Sequence, residues 1–148
     1  ADELFWQPSD PPYQHPRDAP ERQRLLTEAL SGSSGWVLAG SIAHWGDVAI
    51  PFLELAVFVT TPTVTRLARL RTREAERFGA RIREGGDMFE QHRAFMGWAS
   101  RYDSGPAPMR SRTLHEAWLA ALPCPVTRVD GALSLDVICA QVSAAMAA

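Results

Sequence analysis

The sequence predicts an α/β fold with a parallel sheet, from three stretches that alternate strand and helix signals. Residues 55–59 (LAVFV) have the length and the β-branched and aromatic content of a buried strand. Thr61-Pro62 then reads as a helix start, with Pro62 expected at the first helical position. Residues 36–41 (WVLAGS) and 125–131 (PVTRVDG) read as two further short strands, each running into a glycine-bearing turn.

Taken in order, the chain opens on the acidic and aromatic residues Asp2, Glu3, Leu4, Phe5 and Trp6. Five prolines within 8–20 predict an extended loop, in which Tyr13 and Arg17 either meet a substrate or belong to an exposed linker. Asp18 and Glu21 have capping-box spacing, so a helix is expected from there to about Leu30, with Leu25, Leu26, Ala29 and Leu30 inward. Residues 31–35 (SGSSG) end that helix. They precede a strand, whereas a phosphate-binding loop follows one.

After the 55–59 strand, Arg66, Arg69, Arg73 and Arg77 fall at steps of three, four and four, on one helical face. Val64, Leu67, Ala68, Ala75 and Phe78 are expected on the opposite, sheet-facing side. Like charges four apart disfavour a helix by about 0.2–0.5 kcal/mol per pair unless neutralised. The arginine stripe is thus either a solvated face trimmed by Glu74 and Glu76 or a surface that meets a polyphosphate. Residues 79–86 (GARIREGG) read as a flexible turn, and Asp87 with Glu90 as the cap of a helix carrying Met88, His92, Phe95, Met96, Ala99 and Tyr102 on one stripe. Residues 104–108 (SGPAP) break the chain. Thr113 and Glu116 are expected to start the next helix, and Ser134 to cap the last, whose stripe includes Leu135, Ile138, Cys139, Val142 and Met146.

Composition bounds the function. With 148 residues, 46% hydrophobic and 22% charged, the chain is expected to form one soluble domain, 1–148. A net charge of −2 gives no case for nonspecific nucleic-acid binding, although all 15 basic residues are arginine. No apolar run is long enough to span a membrane, and the cytoplasm is the expected location. Cys124 and Cys139 are isolated, the four histidines are scattered, and no spacing suggests a metal site.

Segment 53–79 resembles the P-loop kinases of the adenylate kinase and shikimate kinase type, in which a strand and a small-residue-plus-Pro turn lead into a helix reading R-L-x-x-R. Here Arg69-Leu70-Arg71-Thr72-Arg73 matches. More narrowly, the WVLAGS and WGD pair, the RLARLRTRE helix and the YD, RS and HEAWL stretches look like an uncharacterised bacterial group of adenylate-kinase-like ATPases. The resemblance implies a partial three-layer α/β/α P-loop NTPase fold, lacking its first strand and P-loop helix, with a lid over about 79–112. It implies ATP with Mg²⁺ as cofactor and transfer of the γ-phosphoryl group to a small-molecule acceptor. Arg69 would stack on adenine, Arg73 would reach the phosphates, and Asp130-Gly131 would form the adenine-side loop. Arg110 is the first choice among lid arginines, ahead of Arg81, Arg83 and Arg112. Asp2 would orient or deprotonate the acceptor, or help hold Mg²⁺ through water, with Glu3 in reserve, while Gly40, Ser41 and Asp47 would bind it.

The chain departs from the family in lacking G-x-x-x-x-G-K-[ST], and with no lysine the motif has no disguised copy. Either a preceding segment carries it or this is a relative without one; the first is the expectation. On that expectation these residues alone are inactive and leave apolar surface exposed at 36–40 and 55–60. Ala39 also stands where adenylate kinases often carry Asp. The alternative function is a noncatalytic nucleotide-binding or interaction module of the same fold.

Overall fold

The computed structural model describes residues 1–32, 34–106 and 108–147. Ser33 in the expected 31–35 loop, Ala107 in the expected 104–108 break and Ala148 lie outside the described residues. The fold is mixed α/β and falls into two compact units, Ala1–Leu53 and Glu54–Ala148.

In the first unit, α1 (Asp2–Phe5) is a single turn and α2 spans Ala19–Ser31. The Asp18 cap forms as its spacing predicts, with the Glu21 amide donating to Oδ1 at 2.8 Å. Leu26 is fully buried and Leu25 and Leu30 are half-buried, but Ala29 is exposed, so the inward stripe is narrower than expected. The proline-rich segment folds back on α1: the Gln7 amide donates to the His15 carbonyl at 2.8 Å and the Arg17 amide to the Phe5 carbonyl at 2.9 Å. A 3-10 turn over Asp47–Phe52 packs on α2 and buries Ala49.

The expected strand at 36–41 does not form. A strand exists only by its ladder, and among the described residues this stretch pairs with no strand, while the Ala1 amino group donates to the Ala39 carbonyl at 2.8 Å. Val37 is 93% exposed, so the run has the composition of a buried strand without the burial.

The second unit carries the sheet. Strands β1 (Ala56–Thr60) and β2 (Val126–Asp130) pair in parallel, with Ala56 opposite Val126 and Thr60 opposite Asp130. Parallel neighbours need a long crossover, supplied by α3 (Thr63–Phe78), α4 (Phe89–Ser100) and α5 (Arg112–Ala120); α6 (Leu135–Met146) follows β2 and packs on it. Phe58 and Val129 are buried, whereas Val57 and Val59 are exposed, as expected for 55–60.

Several local expectations need correction. Pro62 is the cap residue before α3, because it keeps an extended ψ of 140° rather than entering the helix. The inward side of α3 is Arg66, Leu67, Leu70 and Glu74, while Val64, Ala68 and Ala75 are exposed. That helix packs chiefly on α4 and a 3-10 turn at Gly79–Ile82, so its contact face is rotated from a purely sheet-facing one. Asp87 and Glu90 do not cap α4, because Arg81 takes the Asp87 carboxylate at 2.6 Å and Arg93 takes Glu90. The same Arg81–Asp87 pair, with buried Ile82, makes 79–86 a pinned turn. Finally, α5 starts at Ser111, fully buried, whose hydroxyl accepts from the Leu114 amide, rather than at Thr113. Ser134 stands at the cap position of α6 without a side-chain cap bond, and Leu135, Cys139 and Met146 of the expected stripe are exposed.

Candidate functional site

Two clusters, one in each unit, hold most of the residues singled out by sequence. The first gathers acceptor-side candidates. The Ala1–Ala39 bond brings α1, with Asp2 and Glu3 exposed on it, against Gly40. Gly40 has φ 101°, and a Cβ there would stand 2.8 Å from the Ala1 Cβ, so only glycine suits the position. The Ser41 carbonyl accepts from the Trp45 indole at 3.0 Å, and Asp47 stands exposed at the start of the 3-10 turn. Phe5 packs edge-on against Trp6 and Trp45, and Tyr13 against Trp6. Arg17 lies 3.5 Å from Glu21. The structure thus brings Ala1, the residue before the turn that carries Asp2 and Glu3, against Gly40.

The second cluster sits at the carboxyl ends of β1 and β2, where ligands of open parallel sheets commonly bind. The strands run out into 60–62 and 130–133. The Gly131 amide donates to the Thr60 carbonyl at 2.6 Å, fastening one turn to the other. A Cβ on Gly131 would meet Thr61 Oγ1 at 2.3 Å, which is why this buried position carries glycine. The Asp130 carboxylate accepts from the Ala132 amide at 2.8 Å and closes the second turn. Arg69 reaches down from α3 and donates to the Gly131 carbonyl. Arg69, Asp130 and Gly131, grouped by sequence as one subsite, are therefore neighbours.

Arg73 pairs instead with its neighbour Glu74 at 3.0 Å and is 59% exposed. Arg110 is exposed in the turn before α5, its carbonyl accepting from the Trp98 indole at 2.9 Å.

Sequence reasoning missed the role of Arg66. It donates to the Thr61 carbonyl at 2.8 Å, the Ala99 carbonyl at 3.2 Å and Asp103 at 2.8 Å, and its guanidinium lies over the Tyr102 ring. Asp103 also accepts from the Thr63 hydroxyl at 2.6 Å. That bond, followed by those of Arg66, holds the Asp103 carboxyl below its ordinary value against the opposing cost of burial. Burial, then the Asp103 charge, pushes the Tyr102 phenol up; its oxygen lies 2.7 Å from His115 Nδ1. The signal available was the YD, RS and HEAWL pattern itself, whose Tyr102, Asp103, Ser111, His115 and Glu116 all make specific bonds. No group of three or more His, Cys, Asp and Glu among the described residues is placed to hold a metal.

A parallel strand pair with arginine and glycine turns at its carboxyl ends defines the protein as a mixed α/β one with a candidate site at those strand ends. The chain belongs to the family of the uncharacterized protein YqaC of Bacillus subtilis (strain 168), to which it is 41% identical over 120 residues, or 81% of this chain and 67% of that protein. No family model matches the chain, and no solved structure matches it. No helix among the described residues is long and apolar enough to cross a membrane.

Proposed function

We propose that this protein is an ATP-binding, P-loop-kinase-like protein that transfers the γ-phosphoryl group to a small-molecule acceptor. The observation that carries the reading is the bond from Arg69 to the Gly131 carbonyl at the carboxyl ends of two parallel strands. It brings the R-L-x-x-R helix and the turn after the last strand together, the two parts assigned to one adenine by the resemblance. Arg69 presents a planar guanidinium beside that turn, suited to stacking on a base. Arg73, one turn further along α3, supplies charge to phosphates by leaving Glu74, and Arg110 supplies it from the 79–112 lid. Such transfer depends on positioning and charge neutralisation more than on covalent chemistry.

On this reading Asp2 would orient the acceptor hydroxyl and take its proton, or help hold Mg²⁺ through water. The acceptor oxygen would bond to the γ-phosphorus as the bond from that phosphorus to the β,γ-bridging oxygen breaks to release ADP, with Glu3, Gly40, Ser41 and Asp47 binding the acceptor. Mg²⁺ would accompany the nucleotide and offset its charge; among the described residues no group of three or more His, Cys, Asp and Glu is placed to hold it. The phosphate cradle would come from a P-loop beyond residues 1–148, completing the three-layer fold over the exposed Val57 and Val59. A second reading, a noncatalytic module of the same fold, is favoured by the absence of G-x-x-x-x-G-K-[ST] from the sequence.

Calorimetric titration of the full-length gene product with ATP and ADP tests the nucleotide site. Saturable binding, weakened at least about tenfold by Arg69→Ala, is expected from a lost charged or stacking contact. Absence of adenine-nucleotide binding would overturn the reading and leave the interaction module. Consumption of ATP in step with a phosphorylated acceptor separates a kinase from an ATPase.

A further inference from the structure

The pair Tyr102-Asp103 takes no part in the chemistry above, yet it joins three elements. One oxygen of Asp103, Oδ2, accepts from both Thr63 at 2.6 Å and Arg66 at 2.8 Å, residues of the first turn of α3. The other, Oδ1, lies 3.8 Å from Arg112 at the start of α5. Beside it the Tyr102 hydroxyl meets His115 of α5 at 2.7 Å. Arg66, so held, grips the Thr61 carbonyl, one residue beyond the Thr60 carbonyl that receives the Gly131 amide. Arg69 follows three residues later on the same rigid helix. The placement of the first turn of α3 therefore sets where the Arg69 guanidinium meets the Gly131 carbonyl.

We propose that Asp103 is a positioning residue for the carboxyl-end site: through Arg66 and Thr63 it fixes the entrance of α3 and so delivers Arg69 to the 130–133 turn. The proposal rests on reading that end as the adenine-side site. Charge and acceptor number both matter here. A carboxylate has two acceptor oxygens for the three donors around it, whereas an asparagine offers one and turns an N–H₂ toward Arg66 or Arg112. Arg66 is thereby a structural member of the arginine stripe, engaged by backbone and carboxylate, and Arg69 is the member presented to a ligand.

Amide hydrogen exchange by NMR, with ATP titration of the full-length protein, tests it on Asp103→Asn, Asp103→Glu, Thr63→Val and the control Asp87→Asn, which removes another surface ion pair. In Asp103→Asn the Gly131 amide is expected to exchange about tenfold faster while amides in the middle of β2 and in α2 keep their protection. Thr63→Val should move it the same way by less, Asp103→Glu should largely restore it, and Asp87→Asn should leave it unchanged. ATP affinity should fall with the Gly131 exchange and recover with Asp103→Glu. Equal acceleration across 54–148, or no change at Gly131, would make Asp103 an ordinary stabilising residue and overturn the proposal. If the wild-type protein binds no adenine nucleotide, the functional reading fails while the exchange comparison still decides whether Asp103 sets this turn.

Discussion

Gly131 fastens three neighbours at one position. Its amide, carbonyl and missing Cβ are all used, by Thr60, Arg69 and Thr61 respectively. Gly131→Ala places a methyl carbon 2.3 Å from Thr61 Oγ1 and 2.9 Å from Val59 Cγ1, so those side chains or the turn itself must shift. Overpacking of this kind costs about 1–3 kcal/mol. Urea denaturation should show that loss, with the change in midpoint at unaltered slope. Both Arg69 and Gly131 were legible in the sequence, because R-L-x-x-R and a strand ending in Asp-Gly are local patterns. The engagement of Arg66 was not. It shares a face with Arg69 in any helical projection, and only the fold places Asp103, 37 residues away in the chain, against it.

At the scale of elements, α3 separates what pattern shows from what packing decides. Its existence, length and start were readable within a residue, since a strand run, a Thr-Pro turn and Gly79 bound it. Its buried side was not, because small apolar residues such as Ala68 and Ala75 carry little directional information, and Glu74 is buried in their stead. Val64→Ala, at an 82% exposed position, is expected to change stability by no more than about 0.5 kcal/mol. Leu70→Ala, on the half-buried side, is expected to cost about 1–2 kcal/mol, less than for a full core leucine. The reverse ranking in thermal melts would restore the sheet-facing orientation. The 36–41 run marks the same limit: WVLAGS reads as a strand by composition, but a ladder depends on neighbours that no local pattern reveals. Ser111 outcompetes Thr113 as the cap of α5 because it is the buried hydroxyl aimed at the Leu114 amide.

Across the molecule, acid sensitivity follows from paired carboxylates. Hydrogen bonds from Thr63 and then Arg66 lower Asp103, one from Arg128 lowers Glu116, and one from Arg81 lowers Asp87. Each binds a proton less readily folded than unfolded, so the unfolded chain takes up more protons in mild acid. Their contribution is present above the ordinary values of 3.8 for Asp and 4.5 for Glu and is lost as pH falls through the lowered folded ones. Melting temperature should therefore be flat near neutrality and decline below about pH 4.5, and added salt should flatten the decline because these groups are near the surface. A melting temperature that rises on acidification would contradict the paired state of all three. The α/β class was legible at this scale because two strand runs flank a helical crossover long enough to join parallel neighbours.

The sheet has a further consequence for the protein as a solute. Among the described residues, β1 and β2 pair only with each other, so each keeps one row of backbone donors and acceptors without a strand beside it. Next to the β1 row lie Val57 and Val59, 37% and 54% exposed. An uncovered row flanked by valine is a template on which a second chain can extend the ladder. The behaviour of these 148 residues is thus a matter of concentration as much as of temperature. Dilute solutions should sediment as single chains, and concentrated ones should associate through β1, a tendency that Val57→Lys at this edge should suppress.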